Sequence, residues 1–274
     1  MNISHTLKSF MKAGVPAFNF QKLRWLLLAV VLLTSAAPAF SQGADEYPRV
    51  EVYAGYSQAR FKTNIESASF TGPGGTQTFT NLCSAATGQQ IGTNSQKFFC
   101  QYRGFNGFDG SVTYNVSKYV GLKGDFTAHF KTDSFADTFT PPGVVQTLSN
   151  RERLYNFLGG VQIKNNDRKA RLKPFGHVLA GVARYTNTQS QTIDLFPAFN
   201  FTLEDQASSF ALKVGGGLDL RVSRRIDIRL FEFDYNPVFS KDRNPRVVSG
   251  SFTSVSFRGK TAHVYTFGAG IVFH

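Results

Sequence analysis

From Val50 onward strand-length stretches recur in which apolar and polar residues alternate at period two, the pattern of strands with one apolar face. Val50, Val52, Ala54 and Tyr56 form the first apolar row, and Phe108, Gly110, Val112, Tyr114 and Val116 the second. Leu122, Gly124, Phe126, Ala128 and Phe130 make the third, and Tyr155, Phe157, Gly159, Val161 and Ile163 the fourth. A fifth segment, about residues 172 to 185, is apolar on both rows, so its facing stays open. The sixth sets Phe210, Leu212, Val214, Gly216, Leu218, Leu220 and Val222 against Ala211, Lys213, Gly215, Gly217, Asp219 and Arg221. In the seventh, Ile226, Ile228 and Leu230 share one parity while Phe231, Phe233 and Tyr235 take the other, which predicts a β-bulge near Leu230. The last places Tyr265, Phe267, Ala269, Ile271 and Phe273 opposite Thr266, Gly268 and Gly270.

Short connections near residues 117–119, 165–167 and 223–225 alternate with four long polar stretches. One of about forty residues follows the first strand, and the others cover 131–150, 186–206 and 240–260. Eight strands with this asymmetry predict an all-β fold: an antiparallel up-and-down transmembrane β-barrel with short periplasmic turns and long extracellular loops. Tyr56, Phe130, Tyr155 and Tyr265 fall near strand ends, where aromatic girdles sit. The rival is a soluble periplasmic ligand-binding barrel, which would turn the same apolar rows inward.

The N-terminus adds a destination. Lys8, Lys12, Lys22 and Arg24 precede an apolar run from Trp25 to Leu33 and the small residues Thr34 to Ala39. That order reads as a secretory signal peptide over residues 1–39, with 40–274 as the barrel domain; Met11 is an alternative start and Ser41 an alternative cleavage point. The apolar run is shorter than the roughly 20 residues a spanning helix needs. Mean hydropathy is −0.18, so a membrane protein of this composition must cross by strands. The net charge of +12 falls to +8 once the four basic signal residues leave. No compact basic patch points to nucleic acid, and anionic headgroups account for basic loops more simply. Cys83 and Cys100 are the two cysteines, and export predicts that they pair.

The chain resembles the eight-stranded, OmpA-type outer-membrane β-barrel domain family over essentially all of the mature sequence. The resemblance is carried by Val52-Tyr53-Ala54-Gly55-Tyr56-Ser57, by Asn115-Val116-Ser117-Lys118 with Gly121-Leu122-Lys123-Gly124-Asp125-Phe126, and by Phe267-Gly268-Ala269-Gly270-Ile271-Val272-Phe273. It implies an outer-membrane location, contact with lipid and lipopolysaccharide, and a monomer. It also implies that Tyr265, Phe267, Ala269, Ile271 and Phe273 signal to the barrel-assembly machinery, with His274 following that motif. The peptidoglycan-binding domain of larger members has no counterpart here.

An eight-stranded barrel is just wide enough for side chains to fill. Its inward rows carry Glu51, Lys123, Asp125, Lys213, Asp219, Arg221, Asp227 and Arg229, predicting an interior salt-bridge network. A small pore through the same charges is the alternative. A lipid A-modifying enzyme needs a His beside a Ser and a carboxylate at a lipid-facing rim. His129 has Asp133 and Ser134 nearby, but its row points inward, and His177 and His263 stand isolated. No catalytic, metal or cofactor site is therefore expected. Gly215-Gly216-Gly217 reads as small residues in a curved wall. Phe98-Phe99 and the stretch Phe196 to Phe201 put aromatics in loops, either as a partner-binding surface for an extracellular ligand or to pack among themselves or on lipopolysaccharide. The function expected is structural, or interaction at the cell surface.

Overall fold

The computed structural model describes residues 47–62, 65–84, 93–139, 144–194 and 200–274. The expected signal peptide over 1–39 and its cleavage site lie outside the described residues. The described chain forms strands β1 (Val50–Phe61), β2 (Ile65–Gly72), β3 (Gly75–Thr80), β4 (Arg103–Asn115), β5 (Val120–Phe139), β6 (Val144–Lys164), β7 (Leu172–Ile193), β8 (Phe201–Arg221), β9 (Ile226–Phe239), β10 (Arg246–Ser249), β11 (Ser254–Gly259) and β12 (Ala262–Phe273). A single helix among the described residues, α1, spans Thr93–Cys100.

Eight strands pair antiparallel around a ring, in the order β1-β4-β5-β6-β7-β8-β9-β12. The ring closes where β1 meets β12, from Val52 opposite Phe273 to Arg60 opposite Tyr265. Closure satisfies every ladder hydrogen bond within the sheet, the requirement for strands in lipid. Outward positions carry an apolar belt: Val112, Leu122, Phe157, Val178, Val214 and Ile271 are all exposed, whereas the inward rows carry buried charge. This polarity is opposite to that of a soluble ligand carrier, which removes that rival.

The bulge falls where the parity change places it. Gly268 pairs with Glu232 and Gly270 with Arg229, so Leu230 and Phe231 together oppose Ala269 and both point outward. The open question on the fifth segment resolves too. Lys173, Phe175, His177, Leu179 and Ala183 face inward, leaving Val178 and Val182 to the belt.

The long polar stretches are not simple loops. β5 to β8 run 20 to 22 residues, about twice the 9–11 needed to cross a bilayer. Their ladders continue unbroken past the belt, up to Phe139 opposite Val144. The reason is physical: above the belt the outer face meets water, so threonine and serine replace the apolar row while the hydrogen bonds persist. A reading based on hydrophobic alternation stops at the belt; the strands do not.

This four-stranded wall leaves two raised edges, and each is covered. β10 pairs with the upper part of β8, with Arg246 opposite Glu204. α1 lies against upper β5, with the Phe98 ring 5.8 Å from Phe135 edge-on. The Cys83–Cys100 disulfide ties the end of α1 back to the segment after β3. Strands β11, β2 and β3 form a second small sheet. Its residues Ile65, Ala68, Val255 and Phe257 join Leu82 and, from the upper end of β8, Phe201 and Leu203 in a core distinct from the one in the lumen. Covering exposed edges prevents pairing with other chains.

At the opposite end the turns are tight. Asp167 accepts the Lys169 backbone N–H at 2.7 Å and pairs with Lys118 at 2.9 Å. The backbone bond first, and then the Lys118 ammonium, hold its carboxyl below the usual aspartate range. The bonds are therefore fully present above that range and fade as pH falls through the lowered value. An NMR titration should give Asp167 a midpoint below that of an exposed aspartate, and an equal or higher one would contradict this turn geometry.

Candidate functional site

The barrel interior is built in layers. At the short-turn end, Lys164 bridges Glu51 at 2.9 Å and Asp219 at 2.8 Å, and Lys173 meets Asp227 at 2.8 Å. His274 turns back into this mouth, with Nε2 2.8 Å from Asp227 and Nδ1 3.6 Å from Glu51. Phe273, one residue earlier, points outward. Above them, the Arg229 guanidinium donates to Asp219 through Nε and to Glu232 through Nη1. It is sandwiched between the rings of Tyr53 and Phe175, at 4.1 and 4.0 Å from their centroids. Lys213 is wholly buried and serves Asp125, Asp109 and Asp234. Lys123 lies 3.2 Å from Glu232 and 3.5 Å from Asp125.

Seven of the eight residues expected in the interior network, Glu51, Lys123, Asp125, Lys213, Asp219, Asp227 and Arg229, lie buried in the lumen. Arg221 does not join them. It sits half-exposed at the mouth, its Nε donating to the Ser223 carbonyl. Strand ends meet water, so the inward parity of Arg221 does not bury it. Asp109, Lys164, Lys173, His177, Glu232 and Asp234 are further members. Asp109 and Lys164 share the inward parity of residues already named and were there to be read. With the bulge set near Leu230, Glu232 and Asp234 share that parity too, whereas the two-sided apolar pattern of β7 hid Lys173 and His177.

His177 is thus not isolated. Its Nε2 lies 3.1 Å from Asp234, and its Nδ1 3.7 Å from Glu232. These three could hold a metal ion by spacing alone. However, the Lys123 ammonium stands 3.5 Å from His177 Nδ1 and 3.2 Å from Glu232, and so already supplies the cation. The inward Gly215 makes room here, since a Cβ would collide with the Asp234 carboxylate.

His129 has an unforeseen partner: its Nε2 lies 2.9 Å from Ser57 Oγ. That is the spacing of a nucleophile and its base. A working pair also needs an orienting group on the far ring nitrogen, and His129 Nδ1 has no hydrogen-bond partner among the described residues. Both side chains are buried in the lumen. Asp133, foreseen near His129, instead pairs with Arg103 at 2.9 Å.

Over the charged layers lies an apolar one. Ala59, Phe61, Phe105, Leu154, Leu158, Leu179, Ala183, Ala211, Val238 and Val264 pack across the lumen, with Phe61 and Phe105 stacked 4.1 Å apart. The room left over it is a cavity of about 40 Å³ bordered by Leu154, Tyr185 and Arg243.

A second polar cluster sits above, beyond the belt whose upper limit is marked by Phe130, Tyr155 and Phe210. Arg103 bonds Asp133 and Glu152 and stacks on Phe98 at 4.1 Å. Burial alone would lower the Arg103 pKa, but the bond to and charge of Glu152, with the bond to Asp133, more than offset it and raise it. Tyr185 donates to Glu152 at 2.6 Å, and burial beside that carboxylate pushes its phenol well above the ordinary value. Arg243 pairs with Asp205 at 2.6 Å and lies over Tyr185, fastening the segment after β9 to the wall. Burial raises the Asp205 pKa, with Arg243 opposing the rise.

The loop aromatics pack among themselves. Phe98 and Phe99 meet edge-on at 4.9 Å, and Phe201 contacts Phe252 at 5.4 Å; Phe196 lies outside the described residues. On β12, Phe267, Ala269, Ile271 and Phe273 face outward as one row, with Tyr265 half-buried at its upper end.

The model of the outer membrane protein beta-barrel domain matches residues 26–273. No curated protein matches the chain. Among solved structures, Ail, the attachment invasion locus protein of Yersinia pestis, is similar at 15% identity, covering 82% of this chain and 97% of that one, with a TM-score of 0.35. OprG from Pseudomonas aeruginosa is similar at 12% identity over 83% and 98%, with a TM-score of 0.46. The outer membrane protease OmpT from Escherichia coli stands at 10% identity over 85% and 99%, also with 0.46. With a closed eight-stranded ring, an apolar exterior and a match over nearly its whole length, the chain belongs to the outer membrane protein β-barrel domain family and resides in the outer membrane.

Proposed function

We propose that this is a non-enzymatic, non-conducting surface-interaction protein whose barrel anchors an ordered extracellular platform. By the rule for such barrels, the short turns are periplasmic and the raised wall extracellular. The observation that carries the reading is the platform: a sheet, a helix, a disulfide and a separate hydrophobic core, all beyond the belt. Ordering that much chain has an entropic cost that membrane anchoring alone does not require. The apolar layer across the lumen argues against a pore, and the enclosed Ser57–His129 pair against lipid chemistry. The closed ring leaves no barrel edge for a second copy, which favours a monomer. The outward row of β12 serves as the barrel-assembly signal.

The test is adhesion of cells displaying the full chain to immobilised glycan and extracellular-matrix surfaces. A variant with residues 65–80 replaced by a Gly/Ser linker should lose adhesion yet keep its heat-modifiable migration. Equal adhesion by both would overturn the platform reading. Altered lipid A that depends on Ser57 and His129 would restore the enzymatic one.

A further inference from the structure

The outer face of the raised wall is mostly hydroxylated, but its base is not. Arg151 and Arg153 on β6 and Arg184 on β7 are all exposed. Cross-strand register sets Arg153 between Phe130 and Thr186, Arg151 between Thr132 and Thr188, and Arg184 between Tyr155 and Ser208. Arg153 and Arg184 are therefore diagonal neighbours, about 7 Å apart, and Arg151 follows two residues along the same face. Like charges placed this closely on a sheet repel. The described polar contact is from Arg184 Nη2 to Gln206 Oε1 at 3.3 Å, a neutral partner. The outward carboxylate in this row, Glu204, is two strands away from Arg151 and opposite Arg246.

The height of the trio is equally specific. Phe130 and Tyr155, 5.9 Å apart, end the apolar belt directly beside it. Arg153 and Arg184 thus begin the polar face above the lipid, with Arg151 one outward position higher, at the level of outer-leaflet headgroups. Guanidinium groups bind phosphate through paired, charge-assisted hydrogen bonds, and the adjacent threonine and serine hydroxyls can donate to the same oxygens or to sugar.

We propose that Arg151, Arg153 and Arg184 form a site for the phosphorylated headgroup of lipopolysaccharide in the outer leaflet. The site rests on the outer-membrane location and is independent of what the platform binds. Such a contact relieves the repulsion among the three charges and fixes the rotation of the wall relative to the membrane.

Native mass spectrometry of the full chain in detergent micelles, titrated with diphosphorylated lipid A and with its dephosphorylated form, tests this. The wild type should favour the phosphorylated form by about tenfold or more, the scale of one charge-assisted hydrogen bond. Arg151→Gln/Arg153→Gln/Arg184→Gln should bind both forms alike while migrating as a folded barrel. Should the triple variant not fold, Arg153→Gln alone should lower the preference several-fold. The site is overturned if the wild type shows no preference or if the variants retain it. It is also overturned if the arginines prove to bind a soluble sulfated polysaccharide and not the lipid.

Discussion

Replacing Lys213 with methionine should destabilise the barrel by about 3–5 kcal/mol, the cost of stranding buried charge. The ammonium is wholly buried, and three carboxylates, Asp109, Asp125 and Asp234, depend on it. Lys123 reaches one of the three, Asp125 at 3.5 Å, while also serving Glu232, and Arg229 is committed to Asp219 and Glu232. Methionine nearly preserves the volume, so the loss measures charge and not a cavity. Urea unfolding in lipid vesicles, followed by the heat-modifiable gel band, reads the change. Arg221→Ala is the matched control: half-exposed and bonded to a backbone carbonyl, it should change stability by less than about 0.5 kcal/mol. Similar effects of the two substitutions would mean that the interior charges are solvated, as in a water-filled pore.

The second large effect should appear in the platform alone. Phe257 is buried in the outer core against Phe70, and its backbone bridges Arg243. Phe257→Ala should cost about 3–5 kcal/mol, the usual price of an emptied aromatic site. That loss should fall on the β2-β3-β11 sheet, because the barrel enters this core only through Phe201 and Leu203 at the upper end of β8, and the lumen's apolar layer shares none of its residues. In intact vesicles, external protease should then cut the variant within 65–80 or 246–259 while the barrel band survives boiling tests unchanged. Loss of the barrel band together with the platform would show that the two parts fold as one unit.

The barrel was legible because lipid imposes a strict rule: each outward residue within the belt must be apolar or small. The bulge at Leu230 could be read for the same reason, since two adjacent outward residues violate period two and only an inserted residue restores it. Above the belt the rule lapses. Thr186, Thr188 and Ser190 suit a loop as well as a strand facing water, so the upper halves of β5 to β8 left no signal in hydrophobicity. β3, Gly-Thr-Gln-Thr-Phe-Thr, is strand only because β2 pairs with it. The interior network was partly readable, because inward parity marks Lys123 or Asp125 but says nothing of their partners. Glu232 meets Lys123 across 109 residues of sequence, a juxtaposition set by barrel closure and shear. The Ser57–His129 contact arises in the same way and carries no local motif.

The decisive measurement is the conductance of the refolded full chain in planar bilayers. A lumen filled by salt bridges and sealed by Phe61, Phe105, Leu154 and Leu179 should leave the current at the lipid baseline across the usual range of voltages. Stable single-channel steps from the folded, heat-modifiable protein would contradict a closed barrel and transfer the function from the platform to the pore.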